Sequence, residues 1–169
     1  MPFLAIGLSL LALSATSNVA PCEKAAIGHG RADWRSESVV AGPVGVRREP
    51  LGAMSRFANG LVAKMPILVE GRAPQTVSIS VPPQLRGRVF LYYGEMRDRD
   101  GKPTTSFVHN RGYDETEFQL CGNKPRTIWP GGIRVKGTVP VELEVSVAGR
   151  ERPYVLHLGR PRAYTPPAA

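Results

Sequence analysis

Apolar and polar residues alternate with a period of two along much of this chain. The alternation is clearest at residues 139–147, where the odd-numbered residues are apolar and the even-numbered ones are Pro, Glu or Ser. Such a pattern is typical of a strand with one buried face. Gly149 offers a turn, and residues 154–158 have the composition of a returning strand. Together these segments predict a β-hairpin.

Other segments show weaker forms of the same pattern. Pro66 interrupts one of them, and because proline cannot donate to a ladder, that strand is predicted to be bulged or at an edge. Residues 88–94 are apolar on both faces and predict a central strand. The further predicted strands are 36–41, 44–48, 61–69, 76–81, 88–94, 104–109, 115–120, 126–129 and 133–135.

The strand pattern predicts an all-β fold with around nine short strands, arranged as an antiparallel β-sandwich, with a small β-barrel as the alternative. Eighteen Gly and 16 Pro are too many for a helical bundle. One segment departs from the pattern: Leu51, Met54 and Phe57 recur at helical spacing, which predicts a short helix near residues 51–59.

The N-terminal segment has a different composition. Residues 1–20 carry no charged side chain, and an apolar stretch of about 11 residues is followed by small and polar residues, as in an export signal. Cleavage after Ala15 or Ser17 is as consistent with the sequence as cleavage after Ala20, because Pro21 follows Ala20 directly. A retained membrane anchor and a buried N-terminal strand or helix are the alternatives.

Export changes the interpretation of the two cysteines. In an oxidising compartment, Cys22 and Cys121 are predicted to form a disulfide that closes a long loop. Acylation of Cys22 is the alternative, although Pro21 departs from the lipoprotein pattern. Two cysteines and three scattered histidines give no zinc-site spacing. The predicted organisation is a signal or anchor (1–20), one β domain (21–162) and a disordered tail (163–169).

The charge of the chain is +8, and most of it lies in the C-terminal third. A basic surface outside the cytoplasm favours acidic envelope polymers, acidic lipid headgroups or an acidic partner protein, and export argues against nucleic acid. We predict a turn at Pro130-Gly131-Gly132 that presents a binding surface. Its members are Arg126, Trp129, Arg134 and Lys136.

No catalytic or metal-binding motif is recognisable. Asp98, Asp100 and Gly101 match a fragment of a calcium loop, but Met96 and Phe107 occupy positions that need acidic ligands. No phosphate or dinucleotide loop occurs, so no cofactor is predicted. Candidate residues for a hydrolase would have to converge in three dimensions. They are His109, Asp114, Glu115, Glu117 and His157.

Residues 38–45 and 129–135, within an Arg-, Gly- and Pro-rich β domain behind an export leader, resemble uncharacterised exported proteins of GC-rich actinobacteria. The resemblance implies no catalytic residue and no ligand. The sequence therefore favours a non-enzymatic, envelope-associated binding module. A hydrolase of envelope components and an accessory domain of a membrane complex, anchored through residues 3–20, are the alternatives.

Overall fold

The chain forms an all-β structure of three separate sheets in a computed structural model that describes residues 16–27, 34–57, 60–71, 75–98, 100–104, 110–122, 125–163 and 165. None of the sheets closes into a barrel, so the barrel alternative is wrong. In chain order the strands are β1 (Ser17–Ala20), β2 (Ala26–Ile27), β3 (Ser38–Ala41), β4 (Val44–Arg47), β5 (Ser55–Phe57), β6 (Gly60–Lys64), β7 (Ile67–Glu70), β8 (Thr76–Ser80), β9 (Val89–Tyr93), β10 (Glu115–Gln119), β11 (Arg126–Trp129), β12 (Gly131–Val135), β13 (Val141–Val147) and β14 (Tyr154–Gly159).

The helical segments in these ranges are three short 3-10 turns. They are Cys22–Lys24, Trp34–Glu37 and Pro83–Leu85.

The first sheet has the strand order β1-β10-β8-β13-β14. Its β13–β14 pair is the predicted hairpin, which is confirmed, with a register shift between Val141 and Glu142. Val141, Leu143 and Val145 of β13 are buried and Glu142 is exposed, as the alternation requires. The sheet departs from the prediction at one edge, because β1 runs parallel to β10.

The second sheet has the order β2-β11-β7-β4-β3 and the third has the order β5-β6-β12-β9. Two segments of the chain bend so that each contributes one strand to the second sheet and one to the third. The predicted single strand 61–69 is split at Pro66 into β6 and β7, which belong to different sheets. Pro130 divides β11 from β12 in the same way. The pairs β7–β11 and β6–β12 are both antiparallel, and the Met65 amide donates to the Gly131 carbonyl (3.0 Å) at the corner. Proline lies at both bends because it cannot take part in a continuous ladder.

Gly131 begins a strand and does not form the predicted tight turn with Pro130. Its φ is not positive. A Cβ at this position would lie 2.2 Å from Cδ1 of the Tyr93 ring and 2.5 Å from the Tyr92 carbonyl oxygen. Glycine is therefore required here because the neighbouring strand approaches so closely.

The predicted helix near residues 51–59 is wrong. Leu51 and Met54 are both buried, which explains their spacing, but Ser55–Phe57 is strand β5. The Met54 amide donates to the Arg162 carbonyl and the Arg162 amide to the Leu51 carbonyl, both at 2.8 Å. This pairing with a distant segment replaces the local hydrogen bonds of a helix. Residues 58 and 59 lie outside the described ranges.

The described fold begins before residue 21 and reaches residue 163. Ser17–Ala20 is strand β1 of the first sheet, and Ala20 is fully buried. Ala163, at the start of the predicted disordered tail, forms a bridge with Met54. The rest of that tail is not described apart from Thr165, and the predicted strand 104–109 also falls outside the described residues after Thr104.

Aromatic residues connect the buried faces of the three sheets. Phe118 of the first sheet packs edge-on against Tyr93 of the third (5.2 Å between centroids) and Trp129 of the second (5.7 Å). The Tyr93 hydroxyl donates to the Met65 carbonyl at the corner (2.6 Å). Although β9 was predicted to be central, it is the last strand of its sheet. Backbone hydrogen bonds between Leu91 and Tyr113 cover its free edge.

Candidate functional site

The predicted disulfide between Cys22 and Cys121 is present in the structure. Cys22 lies between β1 at the edge of the first sheet and β2 at the edge of the second. Cys121 lies between β10 and β11, which are the partners of those two strands. The bond thus links the β1–β2 connection to the β10–β11 connection, and both of these connections run from the first sheet to the second. It is also compatible with an extracytoplasmic location.

The four residues of the predicted binding surface do not form one surface. Trp129 is only 1% exposed and belongs to the core. Arg126 is on the second sheet, with its Nε 3.8 Å from a carboxylate oxygen of Glu70. Arg134 and Lys136 lie together on the third sheet and at its end. The turn that was expected to group all four is a strand crossing, which separates Arg126 from Arg134.

Arg134 and Lys136 belong to a larger basic face. Residues paired across an antiparallel ladder share a face, and alternate residues along each strand stay on it. The register therefore puts one set on the outer side of the third sheet, which we call the basic face. Apart from glycines, its members are Ser55, Phe57, Val62, Lys64, Arg88, Phe90, Tyr92, Arg134 and Lys136.

Phe90 organises the cations of this face. The Arg134 guanidinium carbon lies 4.6 Å from the Phe90 ring centroid and 5.3 Å from that of Tyr92. The Lys136 ammonium lies 4.9 Å from the Phe90 centroid. The Lys136 amide also donates to the Arg88 carbonyl (2.7 Å), which aligns these two residues across adjacent strands. Each cation–π contact is worth about 0.5–1 kcal/mol or more where solvent is excluded. The rings thereby hold these two charges in place, with no carboxylate partner among the described residues.

Arg134 is a buried cation, 6% exposed. Its Nη2 donates to the Arg111 carbonyl (3.3 Å), and no carboxylate within the described ranges lies at ion-pair distance. Residues 110–112 cover this end of the face, because Asn110 accepts from the Gly112 amide (2.8 Å) and the Tyr92 hydroxyl donates to the Asn110 carbonyl (3.4 Å). A buried charge without a counter-charge favours a nearby anion.

The basic face has no acidic member among the residues that the structure describes. In contrast, the outer face of the first sheet is acidic. Its register gathers Glu115, Glu117, Glu142 and Glu144 on one side. Among the described residues, one basic side chain lies at ion-pair distance from these four carboxylates: His157, whose Nδ1 is 2.8 Å from Glu142. The outer faces of the first and third sheets therefore carry opposite charge.

A second group of cations, Arg35 and Arg126, shares the single carboxylate of Glu70 at the second sheet. The Arg35 Nε donates to Glu70 (3.1 Å), and Arg126 lies near the other carboxylate oxygen. The hydrogen bond and the positive charge of Arg35 lower the pKa of Glu70, although burial acts in the opposite direction. A hydrogen bond from Trp34 and the charge of Arg126 lower this pKa further. A nearby open cleft of about 1300 Å³ beside Trp34 is lined by charges of both signs, including Arg47, Glu49 and Glu37. It is a less selective site for an anion than the basic face.

The candidate hydrolase residues are not brought together. Asp114 accepts hydrogen bonds from Thr16, and His157 is paired with Glu142 on an exposed face. Glu115 and Glu117 are on that same face but on another strand. These four described candidates line neither the cleft beside Trp34 nor the smaller one near Met96. His109 lies outside the described residues.

Because Tyr92 and Tyr93 are buried, we expect the free energy of unfolding to fall in alkali. Burial raises the pKa of Tyr92 to about 12, against a smaller opposing effect of Arg134, and raises the pKa of the fully buried Tyr93. Folded pKa values above the unfolded value of about 10 mean that the unfolded state loses protons first. Stability is therefore retained below pH 10 and falls from pH 10 toward 12, by up to about 1.4 kcal/mol per pH unit for each tyrosine.

Urea unfolding at pH 9, 10 and 11 measures this slope. Tyr92→Phe removes one ionisation and is expected to make the slope shallower. An equal slope in Tyr92→Phe and the unsubstituted protein contradicts the assignment.

Sequence reasoning found Arg134 and Lys136 but missed Lys64, Arg88 and Phe90. A signal for two of these was present, because Arg88, Phe90 and Tyr92 alternate along one strand as Arg134 and Lys136 do along another. The alternation does not show that those two strands pair with each other.

No cluster of three or more potential metal-ligating His, Cys, Asp or Glu residues occurs in the described part of the chain. Those same residues form no helix with the length and hydropathy needed to span a membrane. The chain matches no protein-family model, and no curated protein is significantly similar to it.

Proposed function

We propose that this protein is an exported, non-enzymatic β-sandwich that binds an acidic polymer of the cell envelope through its basic face. The observation that carries the proposal is the set of cations on the outer side of the third sheet, with Arg134 and Lys136 held over Phe90 and no carboxylate among the described members of that face. The leader and the disulfide support a location outside the cytoplasm.

A polymer is the favoured ligand because the charges are distributed. Alternate side chains along a strand are about 7 Å apart and adjacent strands are about 5 Å apart, so the exposed cations Lys64, Arg88 and Lys136 form a grid, with Arg134 buried on the same face. A grid suits repeated phosphates or carboxylates along a chain better than one small anion enclosed in a pocket. The Phe90 ring packs against Arg134 and Lys136, and the Tyr92 ring packs against Arg134. Side chains that are already held in place lose less conformational entropy when a ligand binds.

The test uses poly(glycerol phosphate) as a phosphodiester probe and polygalacturonate as a carboxylate probe, with neutral dextran as the control ligand. Binding to at least one polyanion, weakened by salt, is expected. The triple substitution Lys64→Gln, Arg88→Gln and Lys136→Gln removes three exposed charges of the face. At about 1 kcal/mol for each cation near an anionic surface, titration should show an affinity loss of about 100-fold.

A matched variant removes three exposed charges elsewhere: Lys102→Gln, Arg152→Gln and Arg160→Gln. None of these residues lies on a strand of the third sheet. We expect this variant to lose less than about threefold in affinity, since only long-range charge is changed. Equal losses in the two variants, or no binding of the unsubstituted protein to either polyanion at low salt, overturn the proposal. In the second case an acidic partner protein becomes the ligand to test.

A further inference from the structure

Thr16 is tied to Asp114 by side-chain and backbone contacts. The Thr16 amide and hydroxyl each donate to the same Asp114 carboxylate oxygen at 3.2 Å. In return, the Asp114 and Glu115 amides donate to the Thr16 carbonyl (2.9 and 3.1 Å). No Lys, Arg or His within the described ranges is at ion-pair distance from Asp114. The start of β1 therefore provides the donors that this carboxylate uses.

The residues that follow Thr16 are also part of the fold. Asn18 donates from its side-chain amide to the Tyr93 carbonyl (2.7 Å), which connects β1 to the third sheet. Ala20 is fully buried and is paired with Phe118. Cleavage after Ala20 would remove β1 entirely. Cleavage after Ser17 would remove every contact of Thr16 with Asp114.

We propose that a signal-type protease hydrolyses the bond between Ala15 and Thr16, so that the mature chain begins at Thr16 and its α-ammonium group forms an ion pair with Asp114. Water adds across the peptide bond, leaving a carboxylate on Ala15 and the ammonium on Thr16. The inference rests on the predicted export of the protein and is independent of the ligand of the basic face.

The cleavage converts an existing contact into a stronger one. In the uncut chain the Thr16 nitrogen offers one neutral N–H to Asp114, whereas the ammonium offers three protons and a positive charge. Charge-assisted hydrogen bonds are about twice as strong as neutral ones. Ala15 provides the small residue that such proteases require before the bond. Leu13 is larger than the residue usually found two positions earlier, so the contacts that Thr16 makes with Asp114 in the fold, rather than the motif, are the ground for this assignment.

The test expresses the full chain in a bacterial host with an export pathway and determines the intact mass and N-terminal sequence of the exported protein. The expected product begins at Thr16 and is two hydrogens lighter than its reduced form. A product that begins at Ala15, Asn18 or Pro21, or an uncut chain, overturns the proposal.

A second measurement tests the ion pair in the mature protein. The α-amine is dimethylated with a ¹³C label and titrated by NMR. An opposite charge beside it should place its pKa above the usual value of about 8, by about one unit. Asp114→Asn, which keeps the acceptor oxygen and removes the charge, should abolish that difference. A pKa at or below 8 in the protein with Asp114 overturns the pairing even if the variant does not fold.

Discussion

Replacing Cys22 and Cys121 together by serine should lower the free energy of unfolding by about 4–5 kcal/mol. The bond joins positions 99 residues apart, and in the chain-entropy model a loop of that size restricts the unfolded chain strongly. The fold gives this constraint a local role as well. Both β1 and β2 are edge strands with one neighbour each, so without the bond the N-terminal segment is held by short ladders and by the side-chain hydrogen bonds of Thr16 and Asn18.

Urea unfolding of the oxidised protein and of the Cys22→Ser/Cys121→Ser variant measures the difference. The control is a thiol reductant, which should bring the unsubstituted protein down to the stability of the variant and leave the variant unchanged. Because small domains are stable by only about 5–15 kcal/mol, either treatment should leave a marginal fold. A difference below about 1 kcal/mol, or insensitivity of the unsubstituted protein to reductant, contradicts this account.

Trp129→Ala is expected to cost about 3–5 kcal/mol of stability, although the sequence suggested that Trp129 was part of a binding surface. The side chain is 1% exposed, and its ring packs edge-on against Phe118, which in turn packs against Tyr93. Truncation leaves a cavity where the three sheets meet. The surrounding strands are held at the Pro66 and Pro130 corners, so collapse around the cavity is limited.

Two measurements distinguish a core role from a binding role. Urea unfolding gives the stability loss of Trp129→Ala. Trp129→Phe keeps an aromatic ring in the core and should retain the affinity of the unsubstituted protein for the polyanion probes. A core role for Trp129 is contradicted if the free energy of unfolding of Trp129→Ala is within about 1 kcal/mol of that of the unsubstituted protein. It is also contradicted if Trp129→Phe loses much of its affinity while its stability is unchanged.

The errors in the predicted fold share a cause. Residues 51–59 have helical spacing because Leu51 and Met54 are both buried, but their backbone partners are near Arg162, more than a hundred positions away. The run 61–69 alternates correctly on both sides of Pro66, yet the chain changes sheet there. Alternation reports which side chains are buried. It does not report which backbone is paired with which, because that depends on residues far apart in the sequence.

The candidate site shows the same limit. Arg134 and Lys136 were recognised from their charge, whereas Trp129 was grouped with them because it is near in sequence. The change of sheet at Pro130 puts Trp129 in the core and brings Arg88 and Phe90 beside Arg134 and Lys136. The pairing of β9 with β12, rather than the local sequence, therefore creates the basic face.

The sequence alone determined the all-β class and the β13–β14 hairpin, because these follow from local alternation, and it favoured a bond between Cys22 and Cys121 over acylation of Cys22. Only the tertiary structure decided that the strands form three sheets, that Thr16–Ala20 belongs to the fold, and that the outer faces of the first and third sheets carry opposite charge. The physical reason is that strand pairing is a long-range interaction. A strand's own residues specify its buried face, while the strand beside it decides which side chains that face gathers into a site.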